Sequence, residues 1–162
     1  MRKLIFALLC TLAISAGAQT VTRTQHRAAI VDDAVTTGSV TIRKPDYICI
    51  STAADQEQLI MDGTMFTMKT GGKKHVTDSR KNRQFATFHQ VLKAVINHQP
   101  VTAGEELTVN DSNGLRTITV TPAKKKRQMF TSFVLVIDSK TWAIRQLRMN
   151  ERAGNYVHYE FW

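Results

Sequence analysis

The side chains able to do chemistry are few and scattered. The chain holds five histidines, His26, His75, His89, His98 and His158. None has a partner at the i, i+4 spacing that would set two imidazoles on one helix face, and none sits in a Cys/His cluster, so no metal site is expected. A Gly-x-Ser-x-Gly elbow and a phosphate-binding glycine loop are both absent from the sequence. Asp32-Asp33 and Glu105-Glu106 are adjacent acids, which on a strand point to opposite faces and do not share a site. Cys49 becomes a nucleophile only with a base that the fold supplies; a small apolar core residue is the commoner role for a lone cysteine. Neither an enzyme nor a cofactor is expected from this inventory.

Apolar residues offer more. Met61, Met65 and Met68 fall with Phe66 in one short stretch, and Met129-Phe130 opens a later one. Flexible thioethers suit a pocket that accepts chains of varied shape, although Met and Phe on strands also serve as plain core. The basic run Lys124-Lys125-Lys126-Arg127 follows Pro122 and reads as an exposed loop, either a solvated turn or an electrostatic contact for head groups or an acidic partner.

These residues must be positioned by short strands and one helix. Ser39 to Arg43 alternates with period two and, after Lys44-Pro45-Asp46, Tyr47 to Ser51 resumes with Ile48 and Ile50 on one face. Asp62-Gly63 separates Leu59–Met61 from Met65–Met68 as a hairpin turn, and Gly71-Gly72 precedes a strand over Lys73–Asp78. Phe85, Phe88, Val91, Leu92, Val95 and Ile96 recur at helical spacing. They predict an amphipathic helix over Phe85–His98, with Asn82 as N-cap and Pro100 as stop. Strands follow over Glu106–Val109, Leu115–Thr121 and Thr131–Ile137, with Asn110–Gly114 as a turn. The apolar phase changes between Trp142/Ile144 and Leu147/Met149, which predicts a β-bulge near Arg145 and Gln146. Tyr156 to Trp162 closes the chain as a strand. The expected architecture is mainly β with helices (α+β): one antiparallel sheet strongly curved around a helix.

With 162 residues, the chain has the size of one ordinary domain. Arg2-Lys3, the apolar run Leu4–Ile14 and Ala16-Gly17-Ala18 form a signal-peptide pattern, with cleavage expected after Ala18. The domain plan is therefore a signal peptide over 1–18 and one domain over 19–162. The apolar run is short for a membrane span, and Leu9 before Cys10 does not suit lipoprotein processing, so the product reads as exported and soluble. Removing 1–18 takes away Arg2 and Lys3 and no acid, which lowers the formal charge from +9 to +7. Cys49 is then left without an intramolecular disulfide partner. Export argues against nucleic acid as a partner; anionic head groups or acidic proteins fit the charge better.

The order and spacing of these segments resemble the LolA-like lipoprotein-carrier family. Carrying the resemblance are Gly38–Ser51 (GSVTIRKPDYICIS), Met61-Asp62-Gly63, Gly71–Asp78 and Asn82-x-x-Phe85 at the helix start. Ile118–Pro122, Phe133–Asp138 and Ile144–Gly154 (IRQLRMNERAG), before a Tyr-rich last strand, continue it. It covers about Val35 to Trp162. Where the family's first strands carry an Arg followed by a Trp, this chain has Cys49 and Ile50, and Gln19–Asp33 lacks the apolar spacing of the family's long N-terminal helix. The resemblance implies an unclosed β-barrel of about eleven strands with helices over its concave apolar face, acting as a monomeric periplasmic carrier. It implies acyl chains of a lipoprotein or related lipid as cargo, an inner-membrane exporter as donor and an outer-membrane receptor as acceptor. The expected cavity lining is Met61, Phe66, Met68, Phe88, Leu92, Phe133 and Leu135, and the substitutions Leu92→Glu and Phe88→Glu are expected to abolish uptake. The alternative is a non-catalytic envelope interaction or sensor module that uses the same fold to bind a protein.

Overall fold

The computed structural model describes residues 19–124 and 126–162. The expected signal peptide, its cleavage site, Cys10 and Lys125 lie outside them. Six strands come first: β1 (Gln19–His26), β2 (Ala34–Arg43), β3 (Tyr47–Thr52), β4 (Glu57–Asp62), β5 (Met65–Thr70) and β6 (Lys73–Asp78). The helix α1 (Arg83–Ile96) follows, and then β7 (Leu107–Ser112), β8 (Leu115–Val120), β9 (Phe130–Asp138), β10 (Ile144–Glu151) and β11 (Tyr156–Phe161). All strands belong to one 11-stranded sheet in the order β6-β5-β4-β3-β2-β1-β11-β10-β9-β8-β7. Each neighbouring pair is antiparallel, and β1 joins β11 in the middle with Val21 opposite Phe161 and His26 opposite Tyr156. The sheet is not closed: β6 and β7 are its two edges, and α1 carries the chain from one edge to the other.

Period-two alternation puts one face of the inner strands inside. Val21 and Arg23 on β1, Ile48, Ile50 and Thr52 on β3, and Leu59 and Met61 on β4 are buried, while the residues between them are at least partly exposed. Tight turns set the register. At Gly71-Gly72 both φ angles are positive, +57° and +76°, which glycine adopts without a Cβ penalty, and Thr70 and Lys73 pair directly across the turn. The phase change in β10 is a register shift between Ile144 and Gln146, at the position its apolar pattern indicates. β7 is longer than its apolar residues suggest. It runs through Asn110 and Asp111 to Ser112, and only Asn113-Gly114 makes the turn.

The helix follows its pattern closely. Asn82 caps it, its Oδ1 accepting from the Gln84 N–H at 3.3 Å, and the helix starts two residues earlier than the apolar spacing alone marks. The buried face is Phe85, Phe88, Val91, Leu92, Val95 and Ile96, together with His89. Burying a side chain such as Leu92 or Phe88 contributes about 1.5–3 kcal/mol. Two polar contacts tie the helix to the β2–β3 turn. His89 Nε2 lies 3.3 Å from Asp46 Oδ2, and Asn97 Nδ2 donates to the Pro45 carbonyl at 2.6 Å. The family resemblance implies helices over the concave face; α1 is the only α-helix among the described residues.

Candidate ligand cavity

The residues expected to line an apolar cavity all lie on the inward side of the sheet or on the buried face of α1. Met61, Phe66, Phe88, Leu92, Phe133 and Leu135 are each no more than 1% exposed. They form packed core. Phe88 stacks on Phe133 with centroids 4.2 Å apart, and Phe66 stacks on Phe85 at 4.9 Å and on Phe88 at 5.8 Å. Phe130 meets Phe85 edge-on at 5.8 Å. Close-packed rings of this kind fill the space beneath the helix, so a charge introduced at Phe88 or Leu92 disturbs folding before it disturbs any ligand. Met68 is the exception, partly buried and packed against the core from its edge.

The open space begins at Met68. Further along β4 and β5, past Met61 and Phe66, the concave face hollows into a cavity of about 390 Å³. Leu59, Met68, Phe130, Met149, Val157 and Tyr159 supply its apolar surface. Arg23, Arg27, Glu57 and Glu151 border it, as do Lys69, Lys73, Lys74 and His75 from the β5–β6 hairpin. A smaller hollow of about 210 Å³ continues it toward the start of α1, sharing Met68, His75 and Met129 and touching Asn82 and Phe85. Strand register explains the composition. Met68 pairs with His75 and Thr70 with Lys73, so Lys73 and His75 share the face of Met68, while Lys69 and Lys74 alternate with them at the rim.

One buried ion pair braces the cavity. Arg23, 4% exposed, places Nη1 3.0 Å from Glu57 Oε1. Glu57 Oε2 also accepts from the Thr36 hydroxyl at 2.7 Å and from the Thr52 hydroxyl at 2.8 Å. Four strands, β1 to β4, are cross-linked through that carboxylate. Burial raises the Tyr159 hydroxyl above its usual pKa, against the opposing charge and hydrogen bond of Arg23, so the phenol stays protonated at neutral pH. At the rim Arg27 pairs with Glu151.

Sequence reasoning missed these polar residues and most of the apolar lining. The available signal was phase. Arg23 and Gln25 keep the phase of Val21, and Glu57 that of Leu59 and Met61, so polar and charged side chains occupy positions that face inward. The other sequence candidates are elsewhere. Cys49 is half-buried on the outward face, opposite Thr41 and Ile60, neither of which can act as a base. Lys124, Lys126 and Arg127 are exposed, as a loop requires. No cluster of His, Cys, Asp and Glu suited to a metal occurs among the described residues.

An open antiparallel half-barrel with a helix laid across its hollow side, and an apolar recess left beside that helix, defines the structural class. The sequence matches the family profile "Outer membrane lipoprotein carrier protein LolA" over residues 18–162. The chain therefore belongs to the LolA family. Among solved structures it is similar to a LolA superfamily protein from Nitrosomonas europaea at 7% identity, covering 89% of this chain and 82% of that one, with a TM-score of 0.33. It is also similar to a chain in the complex of the CwlD amidase with the GerS lipoprotein from Clostridioides difficile. That match has 12% identity, covers 87% of this chain and 81% of that one, and has a TM-score of 0.34. A third is in the MucA/MucB complex of Pseudomonas aeruginosa, at 14% identity, 90% and 50% coverage and a TM-score of 0.34. None of the curated proteins matches the sequence.

Proposed function

We propose that this protein is a periplasmic carrier that shelters the acyl chains of a lipoprotein, or of a related lipid, for transfer toward the outer membrane. Membership of the LolA family supports the reading. The observation that carries it is the recess of about 390 Å³ floored by Leu59, Met68, Met149 and Val157. Each methylene moved from water onto such an apolar surface is worth about 0.8 kcal/mol, so an acyl chain gains by lying there. In this reading residues 1–18 are a signal peptide cleaved after Ala18, residues 19–162 are one domain, and the protein works as a monomer without chemistry of its own. An inner-membrane exporter loads it and an outer-membrane receptor unloads it. No helix among the described residues is long and apolar enough to cross a membrane. Of the expected lining, Met68 borders the recess, and Met61, Phe66, Phe88, Leu92, Phe133 and Leu135 are buried in the core.

A second reading, a module that binds an envelope protein through its outer face, is favoured by the filled space under α1. Phe66, Phe88 and Phe133 are each 1% exposed there, and Phe88 stacks on Phe133 with centroids 4.2 Å apart. Mass spectrometry of molecules that co-purify with the protein, taken gently from its native envelope, separates the two. Acylated proteins in the bound fraction support the carrier. A stoichiometric protein partner with no apolar ligand refutes it.

A further inference from the structure

The recess is apolar at its base and basic at its mouth, and its charges do not balance. Glu57 is engaged by Arg23 at 3.0 Å and by two threonine hydroxyls, and Glu151 by Arg27. Both carboxylates that border the recess are thus neutralised internally. The lysines of the β5–β6 hairpin are not. Lys73 and Lys74 have no acidic partner among the described residues, and Lys69 donates only to the Asp55 carbonyl at 3.3 Å. Lys73 shares the inward face with Met68 and borders the recess. The volume of about 390 Å³ lies near the lower end of the roughly 300–1,000 Å³ typical of sites for one small ligand.

We propose that the recess binds a single-chain anionic amphiphile: one acyl chain against Leu59, Met68 and Met149, and a carboxylate or phosphate head group at Lys73 and Lys74. This inference deepens the carrier reading and rests on it, by naming the class of cargo that the site takes. A head group ending in an anion offsets the unpaired lysines, whereas a neutral head leaves them as they are and a cationic one adds repulsion. The thioethers of Met68 and Met149 adapt to chains of differing length and unsaturation, so selection falls on the head and not on the tail.

The test is calorimetric titration of the purified full-length protein with laurate and with monolaurin, which share a chain and differ in charge, and with acetate and inorganic phosphate as head groups alone. Laurate is expected to bind about tenfold more tightly than monolaurin, as one or two partly exposed charge contacts allow. Acetate and phosphate are expected not to compete. The double variant K73E/K74E, both positions being exposed and outside the core, is expected to bind laurate no more tightly than it binds monolaurin. Equal binding of the two amphiphiles, a preference that survives K73E/K74E, or competition by phosphate alone overturns the proposal. A synthetic triacylated lipopeptide separates this failure from that of the carrier reading. Lipopeptide binding without laurate binding leaves the carrier standing and removes the single-chain site. Laurate binding without lipopeptide binding keeps the site and removes lipoproteins as cargo, and the absence of both removes both.

Discussion

Arg23 is a charged side chain in a place where the alternation of β1 asks for an apolar one, and its environment shows what keeps it there. It is 4% exposed, its partner Glu57 is 17% exposed, and the carboxylate is completed by Thr36 and Thr52. A buried pair of this kind adds little over an apolar replacement of both members, yet removing one member strands the other charge. Arg23→Met is therefore expected to cost about 3–5 kcal/mol in denaturant unfolding. The double variant R23M/E57L is expected to recover most of that loss, because no unpaired charge remains. If single and double variants unfold at the same denaturant concentration, the pair is not the reason for the cost. The residue scale also separates Cys49 from the core reading of its type. It alternates with Ile48 and Ile50, and because they face inward it faces outward.

Elements are fixed by patterns that a few residues interrupt. At Gly38 on β2, a Cβ would stand 1.8 Å from the Ser51 carbonyl oxygen and 2.7 Å from the Thr52 Cα. The contact is with backbone, which cannot swing aside, so glycine is what lets β2 and β3 approach and bend there. Gly38→Ala is expected to destabilise the fold by about 3 kcal/mol, the upper end of overpacking costs. A variant whose thermal midpoint matched the parent would show that the strands have slack at this point. The same scale explains what could be read from the sequence. The helix was legible because its apolar face repeats at i, i+3 and i+4, and the bulge in β10 because a phase change leaves a mark in the residues themselves. β1 was not, since Thr20, Thr22 and Thr24 alternate with Val21, Arg23 and Gln25 and supply a single apolar residue to the inward face. β7 is legible only in part for a similar reason: Asn110 and Asp111 are turn-forming types that pair as strand with Thr117 and Arg116. The recess is not legible in the sequence because its walls come from three separate stretches, around Arg23, Glu57–His75 and Met129–Tyr159.

Over the whole molecule the chain path decides which parts hold the rest. The first six strands and the last five each form a meander, and two links join them: the β1–β11 pairing and the passage of α1 from edge to edge. The recess sits astride the first link, with Arg23 from β1, Tyr159 from β11 and Leu59 from β4 around one volume. Periodicity within a segment cannot indicate a pairing between residues about 140 positions apart, such as Val21 and Phe161, because the register is set by tertiary packing. Central strands are covered by neighbours on both sides, and Val21 and Ile137 are fully buried. Edge strands are not: Lys73, Lys74, His75 and Val76 of β6 are exposed, and so are Asn110, Asp111 and Ser112 of β7. Charged and polar side chains at such edges discourage pairing with a second copy. The stability of local opening follows the same gradient. Native-state hydrogen exchange is expected to be slowest in β1, β10 and β11, whose opening requires the two meanders to part, and faster by at least about tenfold in β6 and β7, whose outer amides have no strand partner. The helix is expected to fall with the central strands because its buried face is continuous with theirs. Slow exchange throughout β6, matching that of β1, would mean that the edge is covered by something the sheet order does not contain, and the open half-barrel would have to be redrawn as a closed or partnered one.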